Sequence, residues 1–208
     1  MGIIIKAQEI YKNEGALSLS KRGIKKAVRY IFETNSAYWL EKELSQEILP
    51  IQAQIPLEMD FHSAQQTIEW MKTNAEPWVF NPREIAVGLK EGHLFACARY
   101  QEEIIACVKV GLGKVYIQDY RKITDITKDS AFIYDTYVLP EFRRQGVAKY
   151  MVAEITRFLK NKGIRKLGCH IPPWNTASLN TYIHLGFKRV RYTRHLRIFG
   201  FLAFNLNY

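Results

Sequence analysis

A chain of 208 residues, 48% of them apolar, can bury a sizeable core and is too apolar to be disordered. No apolar run approaches the roughly 20 residues of a spanning helix, and the odd set Cys97, Cys107 and Cys169 argues for a reducing compartment over a disulfide framework. The net charge of +10 is lopsided: residues 140–208 carry 13 Lys and Arg against 2 Asp and Glu, while residues 1–60 carry 8 and 8 and residues 61–139 carry 9 and 10.

Such a block suits an anionic partner (nucleic acid, anionic lipid or a phosphate-rich cofactor) or is a solvated basic face. Met1–Ile5 is apolar but lacks a small-residue cleavage site, so no secretory signal is read and a cytoplasmic location is expected.

Residues 1–50 read as a helical extension and residues 51–208 as the main domain. Leu17, Ile24, Val28 and Ile31 form one stripe opposite Lys21, Arg22, Lys25, Lys26 and Arg29, the pattern of a basic amphipathic helix. Such a helix packs on its own domain, packs on a second subunit, or lies on an anionic membrane surface. From Ile55 the texture changes to short alternating elements. A strand is expected over Ile55–Phe61, then a helix capped by Ser63 and running through Met71. Asn81-Pro82-Arg83-Glu84 starts another helix, closed by Gly92. His93–Tyr100 and Ile104–Val110 read as a hairpin turning at Gln101-Glu102-Glu103. Val115–Ile117 is a short strand, and Ala131–Leu139 is the clearest strand in the chain. A helix follows over Arg144–Asn161, then a strand over Lys166–Ile171. A helix over Asn175–Leu185 is stopped by Gly186, and strands over Phe187–Thr193 and Leu196–Asn205 close the chain. Hairpins followed by strand–helix–strand units imply a mixed sheet with helices on both faces.

The junction Arg143-Arg144-Gln145-Gly146-Val147-Ala148 lies where the clearest strand hands over to a helix. The first N–H groups of a helix lack intrahelical partners and the helix dipole adds positive potential, so an anion there meets converging donors. Gly146 allows close approach of the backbone, Ala148 leaves room, and the arginines add charge. A diphosphate cradle accounts for these choices. The patterns of nucleotide-hydrolysing P-loops and of dinucleotide folds are both absent.

The run Val138, Pro140, Arg143, Gly146, Ala148 fits V-x-P-x-x-R-x-x-G-x-A, and Asn175, Ser178, Tyr182, Gly186, Phe187 fits N-x-x-S-x-x-x-Y-x-x-x-G-F. Together, in this order, they resemble the acyl-CoA signature and the final helix of the GNAT N-acetyltransferase superfamily, over about Ile55 to Thr193. The resemblance implies an α/β (mixed α+β) fold with a mainly antiparallel sheet that splays between Ala131–Leu139 and Lys166–Ile171. The pantetheine arm of acetyl-CoA would lie in that gap like an added strand. It implies Tyr137, Val138, Arg143, Arg144, Gln145, Gly146, Val147, Ala148, Asn175, Ser178 and Tyr182 as cofactor contacts. Val138 N–H would face the thioester carbonyl, where charge develops. Tyr182 would protonate the departing thiolate; a buried packing tyrosine is the plainer reading. Asn175 serves equally as an N-cap.

Asp135 is the candidate base, or a structural acceptor paired with an arginine; Tyr134 stands where several family members carry an acid. Strand alternation sets Asp135 with Ala131, Ile133 and Tyr137, opposite Tyr134, Thr136 and Val138. His170 reads as packing, and the neighbouring Cys169 points to the other face of its strand. The acceptor would be a small-molecule or peptide amine meeting Tyr120, Tyr134, Asp135, Tyr137 and the loop Asp119–Asp129. No metal is implied. A non-catalytic acyl-CoA-binding regulator or scaffold is the alternative, nucleic acid lacks a supporting signature, and pairing into a homodimer through Leu196–Asn205 stays open.

Overall fold

The computed structural model describes residues 32–45, 48, 50–63, 82–198 and 201–207. The basic amphipathic helix expected before residue 32 lies outside them, as does the helix expected after Ser63. The described elements run β1 (Phe32–Glu43), β2 (Glu58–Ser63), α1 (Pro82–Glu91), β3 (Leu94–Tyr100), β4 (Glu103–Gly111), β5 (Lys114–Ile117), β6 (Lys122–Asp125), β7 (Ser130–Val138), α2 (Val147–Asn161), β8 (Lys166–Ile171), α3 (Thr176–His184), β9 (Lys188–Ile198) and β10 (Phe201–Asn207).

Residues 37–192 make one compact unit. Its sheet has the order β9-β1-β8-β7-β4-β3-β2. The pairs β1–β8, β2–β3, β3–β4 and β4–β7 are antiparallel, and β7–β8 is parallel. The β3–β4 hairpin turns on Gln101 and Glu102, both at positive φ, the backbone twist that matches a two-residue turn to its strands. α2 forms because Val147, Met151, Ile155 and Leu159 recur every four residues. All four are buried, and with Leu40, Ile105, Val108 and Leu167 they build the main core. A second, smaller cluster of Ala37, Val115, Ile117, Tyr120 and Phe132 includes partly buried Trp39 and Tyr134 at its edge. Helices thus flank both faces, α2 and α3 on the main core and α1 beside β5.

The other unit joins residues 1–36 to 193–208. Its described β-structure pairs β9 with β10, from Thr193↔Asn207 to Ile198↔Phe201.

Three expectations need correction. Phe32–Glu43 is a strand, although the first 50 residues read as helical. The apolar run Tyr38-Trp39-Leu40 looks like a helical stripe continued, but Leu40 joins the main core and Trp39 the smaller cluster on the other face. Neighbours serving opposite faces are the mark of a strand. At the other end, β9 runs unbroken through Arg194 and His195, so the expected break before Leu196 does not occur. Between them, the loop expected over Asp119–Asp129 is interrupted by β6, which pairs with β5 as a ribbon from Lys114↔Asp125 to Ile117↔Lys122.

Candidate active site

β7 and β8 pair from Ser130↔Lys166 only as far as Ile133↔Cys169. Past that point β7 stays with β4, and β8 stays with β1. Their facing edges separate and leave a cleft of ≈ 150 Å³. Tyr134, Asp135 and Thr136 line one side, His170 to Pro172 the other, and Asn175, Ser178 and Tyr182 come from α3 and its cap.

A β-bulge shapes the β7 wall. β4 residues Lys109 and Val110 are consecutive, yet they face Asp135 and Ile133. Tyr134 is the extra residue, and an extra residue exchanges the two faces beyond it. Simple alternation therefore fails here. Val138 joins Ala131 and Ile133 on the main core, and Thr136 meets Tyr182. Asp135 turns instead to Lys109, 2.9 Å away. Its ion-pair partner is a lysine, where the structural alternative to the base reading named an arginine.

Tyr182 is 3% exposed, and Phe187 sits edge-on to its ring. Its hydroxyl lies 3.1 Å from Thr136 Oγ1. Burial pushes the phenol well above the usual tyrosine value, so it is held protonated. Asn175 caps α3 as expected, its Oδ1 accepting the Ser178 N–H at 3.2 Å.

Lys109 lies between two carboxylates, Asp135 and, at 3.2 Å, Glu84 of α1. Burial disfavours its charge, but Asp135 and Glu84 outweigh that and raise its pKa. His93 packs nearby, against Tyr134. Its Nε2 lies 2.7 Å from the Lys114 carbonyl, which can only accept, so Nε2 carries the hydrogen. Burial lowers the pKa of His93; in the neutral ring Nδ1 then accepts from the Tyr134 hydroxyl at 3.3 Å.

On β8, Cys169 joins the main core, and burial pushes its thiol up. His170 points the other way and does more than pack: its Nε2 lies 3.2 Å from Asp119 Oδ2. The two residues do take opposite faces, as the strand reading required.

Beyond the cleft the chain turns into α2. Gly146 is the N-cap at φ 80°, where a side chain would be strained, and no side chain caps the helix. The first turn has no acidic residue. The leading N–H groups of α2 thus have no acidic side chain within their own turn to accept them. Arg144, also at positive φ, and Arg143 are exposed. Gln145 ties the turn down, its carbonyl taking the Gln54 N–H at 2.9 Å and its side chain donating to the Glu141 carbonyl at 3.1 Å. Arg143 has an inward task as well: Nε donates to the Val138 carbonyl at 3.0 Å, and the guanidinium covers the Tyr137 ring. Val147 sends its side chain into the core at 2% exposure, which leaves only its backbone for a ligand, and Ala148 is half-buried.

One backbone direction bears on Val138. Leu139 donates its N–H to Ile105 on the β4 side. Successive N–H groups alternate between the edges of a strand, so the Val138 N–H points to the edge that β8 has vacated. Asn175, Ser178 and Tyr182 of the second motif line the cleft, and the first motif follows on from β7, which forms its other wall. Thr136, Lys109, Glu84, His93 and Asp119 belong to neither motif. Asp119 opens the segment expected to meet the acceptor, and Lys109, a charge inside the apolar run Ala106–Val110, was the other legible signal among them.

Residues 55–187 match the model of the Acetyltransferase (GNAT) family. Aminoglycoside N(6')-acetyltransferase type 1 of Salmonella typhimurium is 30% identical over 123 residues, which is 57% of this chain and 83% of that protein. The thialysine N-epsilon-acetyltransferase of Mus musculus is 28% identical over 60 residues, 29% of this chain and 35% of that one. Among solved structures, a GCN5-related N-acetyltransferase from Sphaerobacter thermophilus shares the fold at a TM-score of 0.53 and 14% identity, over 88% of this chain and 57% of that one. With the splayed sheet, the open helix turn and a family match over most of its length, the chain belongs to the Acetyltransferase (GNAT) family and is an N-acetyltransferase.

Proposed function

We propose that this protein transfers the acetyl group of acetyl-CoA directly to a primary amine, with Tyr182 as the proton donor to the departing thiolate. The observation that carries this reading is the parting of β7 and β8 beyond Ile133↔Cys169, with the protonated Tyr182 lining the gap. The diphosphate of the co-substrate rests on the N–H groups of Val147 and Ala148 and on Arg143 and Arg144, and Gln145 holds the turn. The pantetheine arm pairs along the vacated edge of β7, past Asn175 and Ser178. Val138 N–H supports the carbonyl oxygen as charge develops on it. Thr136, hydrogen-bonded to Tyr182, sets the direction of its hydroxyl. No covalent enzyme intermediate is required: the amine nitrogen bonds to the acyl carbon as the C–S bond breaks, and sulfur takes its proton from Tyr182.

The acceptor we propose bears an ammonium group. Asp119 and Asp135 line the cleft with half-exposed carboxylates, a favourable setting for a cation. An aminoglycoside is one acceptor of this kind, in line with the name of the Salmonella relative. The test is thiol release from acetyl-CoA in the presence of aminoglycosides, polyamines and peptide amines, with the product identified by mass. Acetylation of a cationic amine supports the reading. Acetyl-CoA binding without acetylation of any of them would instead favour the non-catalytic binding protein.

A further inference from the structure

His170 lines the cleft and has a ring nitrogen without a hydrogen-bond partner among the described residues. Its side chain is 7% exposed and lines the cleft between β7 and β8. Phe132 stacks parallel to the ring, with Trp39 and Tyr120 tilted against it, all within 6 Å. Nε2 faces Asp119, whose carboxyl this hydrogen bond holds below the usual carboxylate range. An ionised carboxylate only accepts, so Nε2 carries a hydrogen and donates it. The basic site of the neutral ring is then Nδ1, which is buried and has no hydrogen-bond partner among the described residues. A buried polar nitrogen left bare calls for an occupant or a function; the adjoining cleft, ≈ 150 Å³, can hold water, and a small turn of the ring is needed to bring Nδ1 against it.

We infer that His170, oriented by Asp119, takes up the proton released by the acceptor amine, across one water in the cleft. The inference rests on the transferase reading above and supplies the proton acceptor that reading lacks. As the amine nitrogen bonds to the acyl carbon, its N–H bond breaks. The proton passes to the water, and the water gives one of its own to Nδ1. The C–S electron pair leaves with sulfur, which is protonated by Tyr182. Asp119 then faces an imidazolium, the ion pair that stabilises it, in the manner of a carboxylate supporting a histidine base. The three aromatic rings add attraction for a cation. The other titratable groups lining the cleft are Tyr134 and Asp135 of β7, Cys169 of β8, whose thiol burial pushes up, and Tyr182 of α3. Asp135 is committed to Lys109, and Tyr182 is held protonated. Arg191 covers the Trp39 ring.

Two variants of the full chain test this. His170→Gln can keep a donor toward Asp119 but has no basic nitrogen, and Asp119→Asn keeps the ring and removes the charge. Thiol release from acetyl-CoA is followed from acidic to alkaline pH with sisomicin and spermidine as acceptors, and with water as the nucleophile where neither is acetylated. Thermal unfolding with and without acetyl-CoA is recorded on the same samples. We expect both variants to keep the rise in Tm given by acetyl-CoA. The rate falls about 100-fold or more, and the acidic limb of the parent pH profile disappears in His170→Gln. Should His170→Gln fail to fold, the rate and profile of Asp119→Asn decide. Rates within about threefold of the parent and an unchanged profile would make the pair a packing contact and overturn the inference. A parent chain that gains no Tm from acetyl-CoA would overturn the transferase reading beneath it.

Discussion

Tyr182 and Lys109 show how burial assigns opposite tasks to two polar side chains. Tyr182 is kept neutral by burial, so it stays protonated through and above the usual tyrosine range, as the proposed donor role requires. Replacing it with Phe leaves the cleft filled but removes the donor, and kcat should fall about 100-fold or more while acetyl-CoA binding persists. No alkaline limb assigned to Tyr182 should appear below about pH 10. Lys109 is kept charged by Asp135 and Glu84, against the cost of burial. Lys109→Met strands Glu84, itself 5% exposed, and should destabilise the fold by about 3–5 kcal/mol. The folded-state pKa of Lys109 lies above the unfolded value. Its contribution is therefore complete below the usual lysine range and lost as pH rises through the folded value. The gap between parent and variant in urea unfolding should hold from neutral pH to about pH 10 and narrow above it. A gap that narrows on acidification alone would contradict this. The residues and spacing of the two motifs were legible in the sequence, but the partners of Tyr182 and His170 were not. Thr136 and Asp119 reach their places through a bulge and a ribbon turn, and neither device has a local signature.

At the scale of elements, β1 holds the largest difference between pattern and structure. A strand that serves both faces has no alternation to detect, and Tyr38-Trp39-Leu40 merges with the apolar helical stripe before it. β1 occupies the slot between β8 and β9, so its burial belongs to the sheet that carries the cleft. Leu40 is fully buried on the core side, and Leu40→Ala should cost about 2–5 kcal/mol, read as a lowered midpoint in denaturant. A loss below about 0.5 kcal/mol, usual for a surface site, would remove β1 from the core. α2, β8 and α3 were legible nearly to the residue because each agrees at every level: a four-residue apolar stripe, a glycine entry for α2 and an asparagine cap for α3. The bulge at Tyr134 was not legible, because one extra residue shows only when the partner strand is known. It changes the site more than any other local feature, carrying Thr136 to Tyr182 and Asp135 to Lys109.

For the whole molecule, the excess of basic residues in 140–208 has a partial explanation in the structure. Arg143 and Arg144 flank the open turn into α2, and Arg189 and Arg191 cover the rings of Tyr38 and Trp39. These four arginines are thus divided between the proposed cradle and the surface of the sheet. No helix among the described residues is long and apolar enough to cross a membrane. The central claim is that the turn at Gly146 receives the diphosphate of acetyl-CoA, and it is tested most directly by thermal unfolding with and without that ligand. At about a hundred times the dissociation constant the ligand should add about 2.7 kcal/mol to stability. Gly146→Glu, which puts a negative side chain at a positive-φ position in the cradle, should fold with a lower Tm and lose the gain. An equal gain in both proteins, or none in the parent, would contradict the account.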